Sequence, residues 1–274
     1  MGLFGFFDFT KEGPGISKDA PKKKAFFVFF ETFFRNFFKF FSINLAYVIL
    51  SLPIFTHGLA RAGITNVTRN IARDKHSFGL SDFFSTIRKN WKQALAVGTI
   101  NSIITGLLIF AIRFYNDSYS QTQNTLSFLG LVLCVSFLAI FAMMNFYTST
   151  LMITFSFSTK LLYKNSLKFV FVNLWRNLLC GLCMIAVYAF YYLILILGGN
   201  DIRVFVIEVI IAAATLPSFR FLLIQFFTFG SIKKYIIDPY YAEHPDADIE
   251  KRRALGLEVP EEDDDDEEEP ISWE

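Results

Sequence analysis

Residues 126–159 contain no Asp, Glu, Lys, Arg or His, and their core, LSFLGLVLCVSFLAIFAMMNF, is almost wholly apolar. About 20 such residues cross a bilayer as a helix. Comparable runs occupy 43–55, 94–112, 178–197 and 204–229. A soluble core of this size would interrupt them with charges at a period of two or 3.6. Several of these runs are apolar on all faces, as suits lipid on one side and other helices on the next. The pattern predicts an all-α polytopic membrane bundle.

A short motif recurs ahead of three of the runs: Phe34-Arg35-Asn36-Phe37, Arg88-Lys89-Asn90-Trp91 and Trp175-Arg176-Asn177-Leu178. Each follows an aromatic-rich amphipathic stretch, at 26–34, 80–87 and 167–174. Basic and aromatic side chains belong at the headgroup level. Three such gates predict three helical hairpins starting from one face. The second runs out through 91–113, turns at the polar loop 116–124 and returns through 126–157. The third runs out through 177–197, turns at Gly198-Gly199-Asn200-Asp201, where glycine supplies positive φ, and returns through 203–229. In the first, 37–55 leads out, but the return arm 58–72 carries Arg61 and Arg69 and is too polar for lipid. It reads as a short helix covered by the bundle. The expected fold is thus five long membrane helices plus one short, buried return helix.

Charge orients this scheme. Hairpins that all start inside place 22 of the 26 Lys and Arg in cytoplasmic segments, as the positive-inside rule favours. Both termini are then cytoplasmic in a bacterial cell membrane. The chain divides into a cytoplasmic segment with an interfacial helix (1–36), the transmembrane bundle (37–230) and a cytoplasmic tail (231–274). The first apolar run follows Lys22-Lys23-Lys24 without a small-residue cleavage site and reads as a retained anchor. The net charge of +1 conceals the unbroken acidic run 261–269, read as a solvated, disordered tail, with a partner-binding role as the lesser alternative.

Small residues at Ala94, Gly98, Ser102 and Gly106 form one smooth ridge for close helix approach. Packing within the chain is the favoured use, with homo-oligomer formation as the unsupported alternative. Ionisable residues at membrane depth are costly unless paired or hydrated. Glu208 and Arg220 lie inside an apolar run, and His57 and Arg61 lie near the apex of the first hairpin. These four form the candidate intramembrane polar site, with Arg61 and Glu208 expected at similar depth and paired. The competing reading is that they only fix packing.

No metal-spaced cluster, phosphate loop or nucleophile motif is present, so no cofactor, metal or catalytic residue is expected and the chain does not read as an enzyme. Cys134, Cys180 and Cys183 lie in apolar helices and read as inert. The basic residues follow the membrane boundaries, which argues against nucleic-acid binding.

In the first third stand Asn44 in the first helix, the turn Leu52-Pro53-Ile54-Phe55-Thr56, the small-residue stretch 58–63, Asp82-Phe83-Phe84 and Lys89-Asn90-Trp91-Lys92-Gln93. With the C-terminal KKYIIDPYY, these make the chain resemble the YesL-like bacterial membrane proteins, a family of unknown function. His57 departs from the pattern, since members often have Ile-Gly after the Thr. Members tend to be encoded beside carbohydrate uptake and degradation genes. The resemblance therefore implies an auxiliary or regulatory role there, with a carbohydrate transporter complex as partner beside the lipid bilayer. The alternative is a transporter or channel subunit with a polar pathway past Arg61, Glu208 and Arg220.

Overall fold

The computed structural model describes residues 24–199 and 201–244; the acidic run lies outside them. The described chain is helical and contains no strand. Its order is α1 (Ala25–Arg35), α2 (Phe37–Ser51), a 3₁₀ turn (Ile54–Thr56), α3 (His57–Ala72), α4 (Leu80–Thr122), α5 (Thr125–Thr154), α6 (Thr159–Val172), α7 (Leu174–Leu197), α8 (Ile202–Ile232), a π turn (Lys233–Ile237) and α9 (Asp238–Glu243). Four helices, α4, α5, α7 and the one beginning at Ile202, are long and apolar enough to cross a membrane. Together α1 and α2 make a fifth apolar stretch, but a 75° bend breaks it at Asn36. The chain is a multi-pass α-helical membrane protein.

Its core sits at one end. The buried residues of α4 run from Phe83 to Asn101, those of α8 from Ser218 to Ile232, and those of α7 are Asn177, Cys180 and Met184. In α5 they cluster from Phe141 to Met152, apart from Ser127. The other halves of these helices present Phe110, Phe137, Leu193 and Ile207 outward, as lipid-facing surfaces do. Around the buried end pack α1, α2, α3 and α6. Phe29 and Phe33 of α1, one helical turn apart, meet the Phe219 ring edge-on at 5.0 and 5.3 Å.

The short return helix is covered by protein. Ten residues of α3 are buried, among them Arg61, Ala62, Gly63 and Thr65. Small residues let it approach α4 at backbone distance: a Cβ added to Gly98 would lie 2.5 Å from the Gly58 Cα. In the ridge, Ala94 and Gly98 therefore face α3 within the chain, whereas a Cβ on Gly106 would meet nothing within 4 Å. The Gly58 contact also fixes the depth of the first hairpin. Its apex meets α4 where the apolar run 94–112 begins, not in the opposite half.

Polar side chains repair the helix breaks. Pro53 follows the end of α2, and the Thr56 hydroxyl donates to the Leu50 carbonyl at 2.5 Å, an acceptor the helix leaves free. Pro217 interrupts α8. There Asn44 accepts from the Ser218 N–H at 2.8 Å and donates to the Ala214 carbonyl at 2.6 Å, bridging the two groups that an unbroken helix would join directly.

Two sequence expectations change. The stretch 116–122, expected as loop, continues α4, with the Ser120 and Thr122 hydroxyls folded back onto the Asn116 and Ser118 carbonyls. The turn shrinks to Gln123, at φ 51°, and Asn124, whose side chain caps α5. The three gates also differ in structure. Asn36 marks the α1–α2 bend, and Asn90 lies within a continuous α4. Asn177 ties α7 to α6 through the Phe169 carbonyl and to α5 through the Tyr147 hydroxyl.

Candidate functional site

Above the buried core, α5 and α7 leave a cavity of about 1100 Å³ between them. Its walls are apolar: Leu138, Ala142 and Phe146 on α5 face Leu178, Leu182 and Ile185 on α7. Its charged and strongly polar residues come from three other helices, His57 and Arg61 from α3, Thr105 from α4 and Arg220 from α8, together with Asn145 on α5, and Trp175 and Tyr188 stand at the two ends of the α7 wall.

Arg61 is 8 % exposed and held by two hydrogen bonds to one residue. Its Nη1 donates to the Asn145 Oδ1 at 3.0 Å and its Nη2 to the Asn145 carbonyl at 2.9 Å. Asn101 Nδ2 donates to the same Oδ1 at 2.8 Å, and the Tyr163 hydroxyl donates to Asn101 Oδ1 at 2.7 Å. A polar chain thus crosses from α6 through α4 and α5 to α3, and fixes the guanidinium at the cavity. Arg220 lies on the other side, its Cζ 5.7 Å from the Phe221 ring centre. It lines the same cavity as His57 and Arg61. The Nε atoms of Arg61 and Arg220 are both buried without a hydrogen-bond partner. No acidic residue lines the cavity, and neither arginine forms an ion pair among the described residues.

One buried guanidinium and one half-buried one, with no acid lining the cavity among the described residues, form an electropositive centre in a low-dielectric setting. Coulombic attraction for an anion is strongest in such a setting, because little water screens it. The apolar walls would hold the rest of a ligand. No cluster of metal ligands occurs among the described residues.

The structure brings together three of the four residues singled out from the sequence. Glu208 stands apart, twelve residues from Arg220 on the same helix, or about 18 Å. The expected Arg61–Glu208 pair is corrected: Arg61 bonds to Asn145 and shares its cavity with Arg220, while Glu208 is not among the lining residues. Sequence reasoning missed Asn101, Asn145 and Tyr163. The first two carried a signal, each being the only Asn within its long apolar run.

A second cationic group lies at the far end of α3. Arg73 stacks 3.5 Å over the Phe229 ring, and burial, with Arg69 beside it, pushes it down to about 9. The neighbouring Asp74 turns away to pair with Arg35.

A protein-family model described as a protein of unknown function, DUF624, matches residues 40–112. The match covers most of α2, all of α3 and the larger part of α4, so it includes His57 and Arg61 but not the α5 and α7 walls of the cavity. It is compatible with the resemblance drawn from the sequence motifs. No curated protein and no solved structure matches the chain.

Proposed function

We propose that the protein is a non-catalytic membrane component that binds an anion between Arg61 and Arg220. In this reading it acts as an auxiliary or regulatory partner of carbohydrate uptake, set in a bacterial cell membrane with both termini inside. The observation that carries the binding site is the convergence of two arginines and a histidine on one cavity, with no acid lining it among the described residues. The link to sugar uptake rests on the resemblance alone. A conduction path past Arg61, Glu208 and Arg220 draws no support from this cavity, whose lining omits Glu208.

The anion site is tested by thermal unfolding of the detergent-solubilised protein in sodium phosphate, with ionic strength held constant by sodium chloride. Phosphate should raise the Tm of the wild type and leave Arg61→Gln and Arg220→Gln unmoved. A wild-type Tm indifferent to phosphate would remove the site. The auxiliary role is tested by affinity purification and mass spectrometry. Co-purification of sugar-transporter subunits supports it, and isolation of the protein alone favours an independent transporter.

A further inference from the structure

Anion affinity alone does not account for the shape of the cavity. Its α7 wall runs from Trp175 to Tyr188, about 20 Å of helix. That exceeds the ~15 Å half-thickness of a bilayer's hydrocarbon core. The residues along it are exposed rather than packed against another helix: Leu178, Leu182, Ile185 and Trp175 are 42 %, 63 %, 66 % and 83 % exposed. On the opposite wall Ala139 and Ala142 are exposed and small. α7 packs chiefly against α8, which leaves its other flank facing α5 across the gap. The cavity is therefore a cleft open sideways, with its polar floor at the buried core and its apolar mouth among residues that face lipid.

A small hydrophilic anion would be drawn to the arginines but would gain nothing from such walls, and in a bilayer it would first have to cross hydrocarbon. A molecule already dissolved in the bilayer meets neither obstacle. We infer that the ligand is an anionic lipid, which enters between α5 and α7 and seats its phosphate or carboxylate at Arg61 and Arg220 while its chain lies along the α7 wall. This rests on the anion site proposed above and specifies what that site takes. Guanidinium groups suit both headgroup anions, because their planar donors bind two oxygens at once.

Gly181 supplies a means of testing the chain separately from the head. It lines the cleft, and a Cβ added there would meet nothing within 4 Å. Gly181→Phe therefore adds bulk at the cleft from a Cβ position that the fold leaves open. Ala142→Phe narrows the cleft from the other side and serves as the second variant. The probes are dodecyl phosphate and ethyl phosphate, which share a headgroup, added to protein in a neutral maltoside detergent. The wild type should bind dodecyl phosphate at least tenfold more tightly than ethyl phosphate. In Gly181→Phe and Ala142→Phe that preference should shrink to about twofold, with ethyl phosphate binding as in the wild type. Arg220→Gln should lose both probes. Micelle partitioning of the long chain is the same for all variants, so it cannot imitate this pattern. Equal binding of the two phosphates, or a chain preference untouched by both cleft variants, would overturn the lipid inference and leave the anion site standing. Failure of both probes to bind the wild type would overturn the two together.

Discussion

The meeting of α3 with α4 rests on Gly58, and replacing it by alanine tests the packing with a single methyl group. A Cβ at Gly58 would lie 2.0 Å from the Ala94 carbonyl oxygen, 2.7 Å from the Gly98 Cα and 2.9 Å from the Gly98 nitrogen. Carbon and carbonyl oxygen approach to about 3.3 Å at closest, so the helices would have to part by roughly 1 Å. All three obstructing atoms are backbone, and no rotamer change relieves them. Overpacking of this kind costs about 1–3 kcal/mol when side chains can shift, and the rigid contact here places the expected loss at ~3 kcal/mol or more. That is over a hundredfold in the folding equilibrium. The internal control is Gly106→Ala, on the same ridge but beside open space, which should stay within ~0.5 kcal/mol of the wild type. Equilibrium unfolding in mixed detergent and dodecyl sulfate micelles, followed by circular dichroism, measures both. If Gly58→Ala unfolds with Gly106→Ala, the close approach of α3 and α4 is wrong, and the hairpin depth inferred from it falls as well.

Asn44→Ala should cost about 1–3 kcal/mol by leaving the Ser218 N–H and Ala214 carbonyl without their bridge. Much of that should return in combination with Pro217→Ala, which lets α8 close its own bonds; additive losses in the same unfolding assay would contradict the clamp. A double-mutant cycle for Arg61→Gln and Glu208→Gln should give no coupling beyond ~0.5 kcal/mol, since the two groups are separated in depth; measured coupling of 1 kcal/mol or more would restore the pair. For topology, single cysteines at Asp19, His76 and Lys251 should be shielded from impermeant thiol reagents in intact cells, and one at Ser120 should react. Labelling at Asp19 but not at His76 would place the N-terminus outside.

How much of this was legible in the sequence differs from segment to segment. The charge-free stretch 126–159 and the Gly198-Gly199 turn located the hairpins α4–α5 and α7–α8, because bilayer thickness imposes length and composition directly on the chain. The buried α3 was readable from Arg61 and Arg69, too closely spaced for a span between them. Arg88, Lys89 and Lys92 suggested a boundary where α4 in fact runs on, since a helix ignores charge on its solvent face and stops only where the backbone turns, at Gln123. Depth was the least legible quantity. Apolar residues state that a segment lies in lipid but not at what height it meets its neighbours, and a small error in the hairpin apex moved Arg61 from Glu208 to Asn145. The asparagines at 101 and 145 were visible as polar atoms in apolar runs, yet only their meeting across α4 and α5 shows what they hold in place.

The central claim, that Arg61 and Arg220 hold an anionic ligand inside the bundle, is tested most directly by native mass spectrometry of the protein extracted from its own membrane in a mild neutral detergent. The wild type should retain one small molecule per chain, bearing a phosphate or carboxylate, and the Arg61→Gln/Arg220→Gln variant should lose it while remaining folded by circular dichroism. Equal retention by both proteins, or a wild type that carries only neutral lipid, would contradict the account.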